Sequence, residues 1–182
     1  MKRIESLQNP LVKHILQLRE KSRLRKKTGL FVIEGVRELS LALKGGYPVT
    51  TVLLQPDIIP PDAAGLLKQM DPGTEIVEIP KTVYRKLACR GTTEGVLAIG
   101  RTKETALSGL RFGRDNPLIL VAEAPEKPGN IGALLRTADA AGLDAVIIAN
   151  PRTDLFNPNI IRASLGCVFT VAVATGSTRE II

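Results

Sequence analysis

Residues 118–122, Leu-Ile-Leu-Val-Ala, are a continuous apolar run placed between Pro117 and Glu123. A run this short and this aliphatic matches a strand covered on both faces, as in a parallel sheet. Parallel strands need a crossover, and one follows. A Gly-containing turn leads into a helical stretch over residues 130–141, Gly142 closes it, and residues 145–149 form a second apolar strand. Asn157-Pro158 pairs an N-cap residue with proline at the first helical position, which starts a helix through about residue 165. Residues 168–174 read as a further strand and 177–182 as the first turns of another helix. Such a chain folds as α/β, with chemistry expected where the strands end.

The first hundred residues show a related alternation. Asn9-Pro10 opens a helix that Thr28-Gly29 stops, with Leu11, Val12, Ile15, Leu16 and Leu18 as its buried stripe. Strands are expected at 31–33, 49–54, 75–79 and 95–99, and helices at 35–44, 60–70 and 80–88. Residues 101–116 are polar and lack a period of 2 or 3.6, so they read as a linker.

Charge is divided unevenly between these halves. Residues 1–27 hold nine basic and two acidic groups, which accounts for the whole net charge of +7. Such a cluster points to a polyanionic partner, nucleic acid being the commonest; a solvated helix face is the alternative. The two cysteines, Cys89 and Cys167, exclude a disulfide framework and a CxxC metal site. With His14 the only histidine, a His-rich zinc site is excluded and a Ser–His–Asp hydrolase disfavoured. No apolar run approaches a membrane span and no signal-peptide pattern opens the chain, so a reduced, cytoplasmic protein without membrane contact is expected.

The turn after residue 122 admits three readings. A phosphate-binding Walker loop needs Lys and Ser/Thr after its last Gly, but Ala133-Leu134 follow Gly132. A dinucleotide site wants GxGxxG and an acidic residue ending the next strand; here only Gly129-x-x-Gly132 exists and the strand ends at Asn150. The third reading is a site presenting side chains from the turn and helix start, with the glycines admitting a ligand to the backbone. At about 100° per residue, Ile131, Leu134, Leu135, Ala138 and Gly142 share one core-facing arc, and Arg136 points about 140° from Ile131. Asn157 to Gly166 repeats the design: an Asn-rich turn, then a helix carrying Arg162 and Ser164.

PGNIGALLRTADAAG resembles the first motif of the SpoU (TrmH-type) RNA ribose 2′-O-methyltransferases of the SPOUT superfamily, and DLFNPNIIRASLGCVFTVAV resembles the segment that follows it. IESLQNPLVKHILQLREKSRLRKKTGLFVIEGVREL and RGTTEGVLAIGR are similar to that family's substrate-binding domain. The resemblance implies an N-terminal L30e-like domain (1–100), a linker (101–116), and the N-terminal part of a trefoil-knot α/β domain (117–182). The family's later Gly-rich and Ser-x-Asn motifs do not occur before Ile182, so an incomplete catalytic domain without the knot is expected, with cofactor contacts lying beyond it.

The implied activity is methyl transfer from S-adenosylmethionine to a ribose 2′-hydroxyl of ribosomal or transfer RNA, ribosomal favoured, by a homodimer. The other reading is a non-catalytic RNA-binding protein or a fragment. By the resemblance, Asn130 and Arg136 are the catalytic candidates, and Arg162 and Ser164 lie near substrate. Lys13, Arg19, Arg23, Arg25, Lys26, Lys27 and Arg37 are the candidates for gripping RNA; no metal is implied. The family's first-motif Arg is its candidate base, but a guanidinium normally stays charged. Arg136 equally suits binding the neighbouring phosphate and stabilising the developing alkoxide, so both roles stand open.

Overall fold

The computed structural model describes residues 2–61, 63–89 and 94–182, so the start of the RGTTEGVLAIGR motif, residues 90–93, lies outside the described residues. The chain divides into two compact units, Met1–Thr102 and Lys103–Ile182.

The first unit holds β1 (Lys2–Arg3), α1 (Pro10–Glu20), α2 (Ser22–Thr28), β2 (Leu30–Glu34), α3 (Val36–Lys44) and β3 (Val49–Leu54), then α4 (Ala63–Leu67), β4 (Glu75–Glu78), α5 (Lys81–Leu87) and β5 (Val96–Arg101). Asn9 caps α1 as expected, its side chain accepting from the Leu11 amide with Pro10 in the first turn. Val12, Ile15 and Leu18 are fully buried against Val32, Leu53, Leu97 and the α5 residues Val83, Tyr84 and Leu87. The helix expected to run to residue 28 is broken at Lys21, whose extended backbone (φ −105°, ψ 100°) ends α1 and starts α2. The helix expected over 60–70 is only the single turn or so of α4; Asp62 lies outside the described residues.

Strand order in the first sheet is β1-β4-β3-β5-β2. β1, β4 and β3 run parallel, whereas β5 is antiparallel to both its neighbours, β3 and β2. Alternating strands and helices mark the order of elements but carry no signal for the direction of an individual buried strand. The mixed sheet is therefore a finding of the structure.

The second unit is a three-stranded parallel sheet in the order β6 (Ile119–Glu123), β7 (Ala145–Ala149), β8 (Val173–Gly176), with α6 (Pro128–Ala140), α7 (Pro158–Ala163) and α8 (Thr178–Ile181) following the strands. β7 is buried throughout, but β6 leaves Val121 52% exposed and Leu118 59% exposed beside it, so the strand is not covered on both faces. The strand expected over 168–174 begins only at Val173. Cys167–Phe169 is instead a buried 3-10 turn after Gly166 in the left-handed conformation. A short apolar run fits a buried turn as well as a strand, and periodicity does not separate the two.

The expected linker begins later than 101 and is partly structured. Arg101 ends β5, Leu107–Gly109 is a 3-10 turn, and Thr175 of β8 donates its amide to the Thr105 carbonyl at 2.7 Å. Further on, Arg114 forks onto both carboxylate oxygens of Asp144, and one of them also accepts the Leu118 amide at 2.6 Å. These bonds hold the Asp144 carboxyl below its usual range, the Arg114 hydrogen bond contributing most. Among the described residues no helix is long and apolar enough to cross a membrane, and no group of side chains is suited to hold a metal ion.

Candidate functional site

α6 is set by Pro128 at its start and by Gly142 just past its end, where φ is +65°. Its inner face is Ile131, Gly132, Leu135 and Ala138, all buried, with Leu134 half-buried. Asn130 and Arg136 both point to solvent, six residues and about 9 Å apart along the helix. Neither side chain makes a hydrogen bond or ion pair among the described residues. Arg136 lies in a shallow open depression with Ala133, Thr137, Ala140 and Ala141. The small side chains around it leave the guanidinium free for an anionic, planar or diol-bearing group.

The two glycines of this turn serve different ends. A Cβ on Gly129 would meet nothing within 4 Å. A Cβ on Gly132 would lie 2.4 Å from Ala163 Cβ and 2.7 Å from the Ser164 amide nitrogen. Gly132 therefore serves the close backbone approach of α6 and α7, not the approach of a ligand. This packing joins the two Asn-turn helices.

On α7, Asn157 caps the helix through the Asn159 amide at 2.9 Å, and Arg162 is exposed with one bond to Asn159 Oδ1 at 3.0 Å. Ser164 is fully buried. Its hydroxyl donates to the Ile161 carbonyl at 2.9 Å and accepts from the Val168 amide, which stitches the end of α7 to the next turn. Ser164 is thereby withdrawn from the RNA-facing set: it has no solvent-facing surface.

Two N-terminal arginines are corrected in the same way. Arg25 is 3% exposed and donates to the carbonyls of Leu18 (2.6 Å) and Arg19 (3.1 Å). The break at Lys21 orphans carbonyls at the end of α1, and the Arg25 guanidinium satisfies them. Arg19 reaches α5, donating to the Leu87 and Lys86 carbonyls and to Cys89 Sγ at 3.0 Å. Its Nε is buried without a partner among the described residues. Both groups hold the unit together. Lys13, Arg23, Lys26 and Lys27 remain exposed, and none is in an ion pair among the described residues. Arg37 is exposed too, with the carboxylate of Glu38 close enough to feel its charge, which weakens its attraction for phosphate. Burial pushes the Glu38 carboxyl up.

One cluster has no counterpart in the sequence expectations. At the carboxyl ends of the parallel strands, the Asn150 amide donates to Glu123 Oε1 (2.8 Å) and Thr178 Oγ1 (2.7 Å), and Thr178 donates to Glu123 Oε2 (2.5 Å). In the sequence, Asn150 stands only as the missing acid of a dinucleotide site. The signal present is an Asn ending a buried strand, where a left-handed residue is tolerated.

Residues 9–98 match the MRM3-like substrate binding domain, and residues 117–182 match the SpoU rRNA methylase family. A solved RNA 2′-O-ribose methyltransferase superimposes with a TM-score of 0.82 at 35% identity, covering 98% of this chain and 67% of that one.

The chain belongs to the SpoU methylase family.

Within that family it is 32% identical over 173 residues to a 23S rRNA guanosine 2′-O-methyltransferase of Bacillus subtilis, covering 95% of this chain. The AdoMet-bound rRNA methyltransferase of Sinorhizobium meliloti superimposes with a TM-score of 0.87 at 26% identity, over 99% of this chain and 66% of that one. The chain spans 64% and 55% of the lengths of the first two curated relatives it matches.

Proposed function

We propose that the whole protein methylates a ribose 2′-hydroxyl of RNA, with S-adenosylmethionine as methyl donor and ribosomal rather than transfer RNA as substrate. The observation that carries this reading is the free Arg136 guanidinium, exposed in its alanine-lined depression on the same helix as the free Asn130. Relatives that act on 23S rRNA support the choice of RNA.

The described residues of the second unit do not by themselves fit the methyl donor. Gly132 and Gly176 pack against Ala163 and Leu107, and the polar groups at the strand ends, Glu123, Asn150 and Thr178, bond one another. When bound, the donor supplies an electrophilic methyl; this chain's residues act on the RNA side. Arg136 engages the phosphate next to the target ribose through paired N–H donors and stabilises charge developing on the 2′-oxygen. Asn130 orients that ribose from the first turn of α6. Lys13, Arg23, Lys26 and Lys27 hold the RNA backbone.

The reading extends to a homodimer in the cytoplasm. Exposed apolar surface at Leu118 and Val121 supports a protein partner for the second unit, and two cysteines held as thiols rather than as a disulfide support a reducing compartment. The deciding experiment is transfer of labelled methyl to rRNA by the intact protein and by Arg136→Ala. A loss of about 100-fold or more in kcat is expected. Near-normal transfer by the variant overturns the assignment. RNA binding without transfer by the wild-type protein supports instead the non-catalytic reading.

A further inference from the structure

We infer that Asn150 is a positioning residue for the site on α6, a role that rests on the proposed methyl transfer: it ties the exit of β6 to those of β7 and β8 and so sets the first turn of α6, where Asn130 sits.

Backbone bonds link the exits in series. The Ala124 amide donates to the Ala149 carbonyl and the Asn150 amide to the Gly176 carbonyl, both at 2.8 Å. Above them, the Asn150 side chain uses both amide protons, on Glu123 and on Thr178, while Thr178 donates to the second Glu123 oxygen. One side chain therefore joins residues at the ends of three adjacent parallel strands. Ala124 and Asn150 both turn through left-handed backbone, at φ 44° and 45°.

α6 depends on this clasp more than its neighbours do. Asn157 caps α7 and Ser177 caps α8 with a full capping box, but the cap residue of α6, Lys127, makes no side-chain cap bond. Only residues 124–127 separate Glu123 from Pro128, so a shift of Glu123 passes directly into the turn bearing Asn130. The groups facing Glu123 are Thr178 and Asn150, whose hydrogen bonds hold its carboxyl below the usual range, and the charge of Arg152. The Glu180 carboxylate of α8 is engaged by Ser177. Glu123 is thus an ionised acceptor at neutral pH, matched to an amide donor.

Asn150→Asp tests this. It keeps the size and the tolerance for left-handed backbone but sets a second carboxylate against Glu123. In the intact protein, hydrogen exchange over residues 128–136 is measured together with kcat, the KM for RNA and the melting temperature, from about pH 8 to about pH 5.5. At the alkaline end, exchange in the first turn of α6 rises about tenfold and kcat falls about tenfold, while KM changes less than about threefold. Both defects shrink on acidification, because one proton shared between the introduced carboxyl and Glu123 restores a hydrogen bond. Adding Glu123→Gln to Asn150→Asp re-creates a donor–acceptor pair and restores both readouts at every pH. Unchanged exchange in α6, or a loss that neither pH nor the second substitution rescues, overturns the inference. If the wild-type protein transfers no methyl group, the proposed function fails, and exchange alone decides whether the clasp sets α6.

Discussion

The arginines of α1 and α2 and those of α6 and α7 look alike in the sequence, yet the structure uses them differently. Arg25 and Arg19 are turned inward onto backbone carbonyls, one at the broken end of α1 and one at the end of α5. Arg136 faces solvent without a partner among the described residues, and Arg162 faces solvent with a single bond to its own turn. The difference lies in what each helix end leaves unsatisfied. A helix interrupted inside the core presents orphan carbonyls, and the nearest guanidinium is drawn to them. α6 closes through Gly142 and α7 bonds the Ser164 amide to the Ile160 carbonyl, so neither end recruits its arginine.

Paired substitutions sharpen the contrast most. Arg136→Ala is expected to lower kcat by about 100-fold or more with little change in melting temperature, whereas Arg25→Ala lowers stability by about 1–3 kcal/mol through unsatisfied buried carbonyls. Urea unfolding and steady-state kinetics on the same two proteins check this; a stability loss in Arg136→Ala as large as that in Arg25→Ala would erase the distinction. Arg136→Lys separates the roles on the active side, because a lysine cannot offer the paired donors of a guanidinium. Near-normal turnover by Arg136→Lys would leave only a point charge at that position.

Gly132→Ala comes next in size. Its Cβ has no room against Ala163, so α6 and α7 must separate, at a cost of about 1–3 kcal/mol in the second unit. Thermal melting with a far-ultraviolet readout measures it; a neutral outcome would mean that the helix pair yields more easily than its close backbone packing implies.

A smaller effect is expected from Lys26→Ala with Lys27→Ala. Removing each phosphate-binding lysine reduces the slope of log affinity against log salt by about 0.7–0.9. RNA titrations at several salt concentrations read this directly, and Arg25→Ala, measured in the same way where it remains folded, leaves the slope unchanged.

The smallest expected effect is at Asp144. Its carboxyl sits below the ordinary range because of Arg114, so the ion pair stabilises the fold above the unfolded carboxyl's pKa of about 4, and that stabilisation disappears as pH falls through the lower folded value. Asp144→Asn should flatten the acid limb of the second unit's stability curve and leave RNA affinity unchanged. Denaturant midpoints measured between about pH 2 and about pH 6 test it.

Much of the fold and part of the site are legible in the sequence alone. Asn9-Pro10 and Asn157-Pro158 cap helices where an acceptor side chain beside proline dictates them. The strands of residues 49–54, 75–79 and 145–149 stand close to where their apolar runs put them. Asn130 and Arg136 fall on the exposed side of α6 because helical periodicity alone assigns the buried face to Ile131, Leu135 and Ala138.

Other features depend on partners distant in the chain. Nothing near Lys21 marks a helix break, and nothing near residue 96 marks the direction of β5. Gly132 reads as a ligand-binding glycine until Ala163 is seen against it. The +7 charge likewise identifies a basic region but not which of its members face outward. Local spacing determined the elements, their faces and the family motifs, since capping and periodicity act over a few residues. The close packing of α6 on α7 and the Glu123–Asn150–Thr178 clasp were decided by tertiary structure, because each answers a polar or steric demand that arises only when distant segments meet; Arg25 and Ser164 bond groups within seven residues of themselves, yet their burial too is visible only in the folded units.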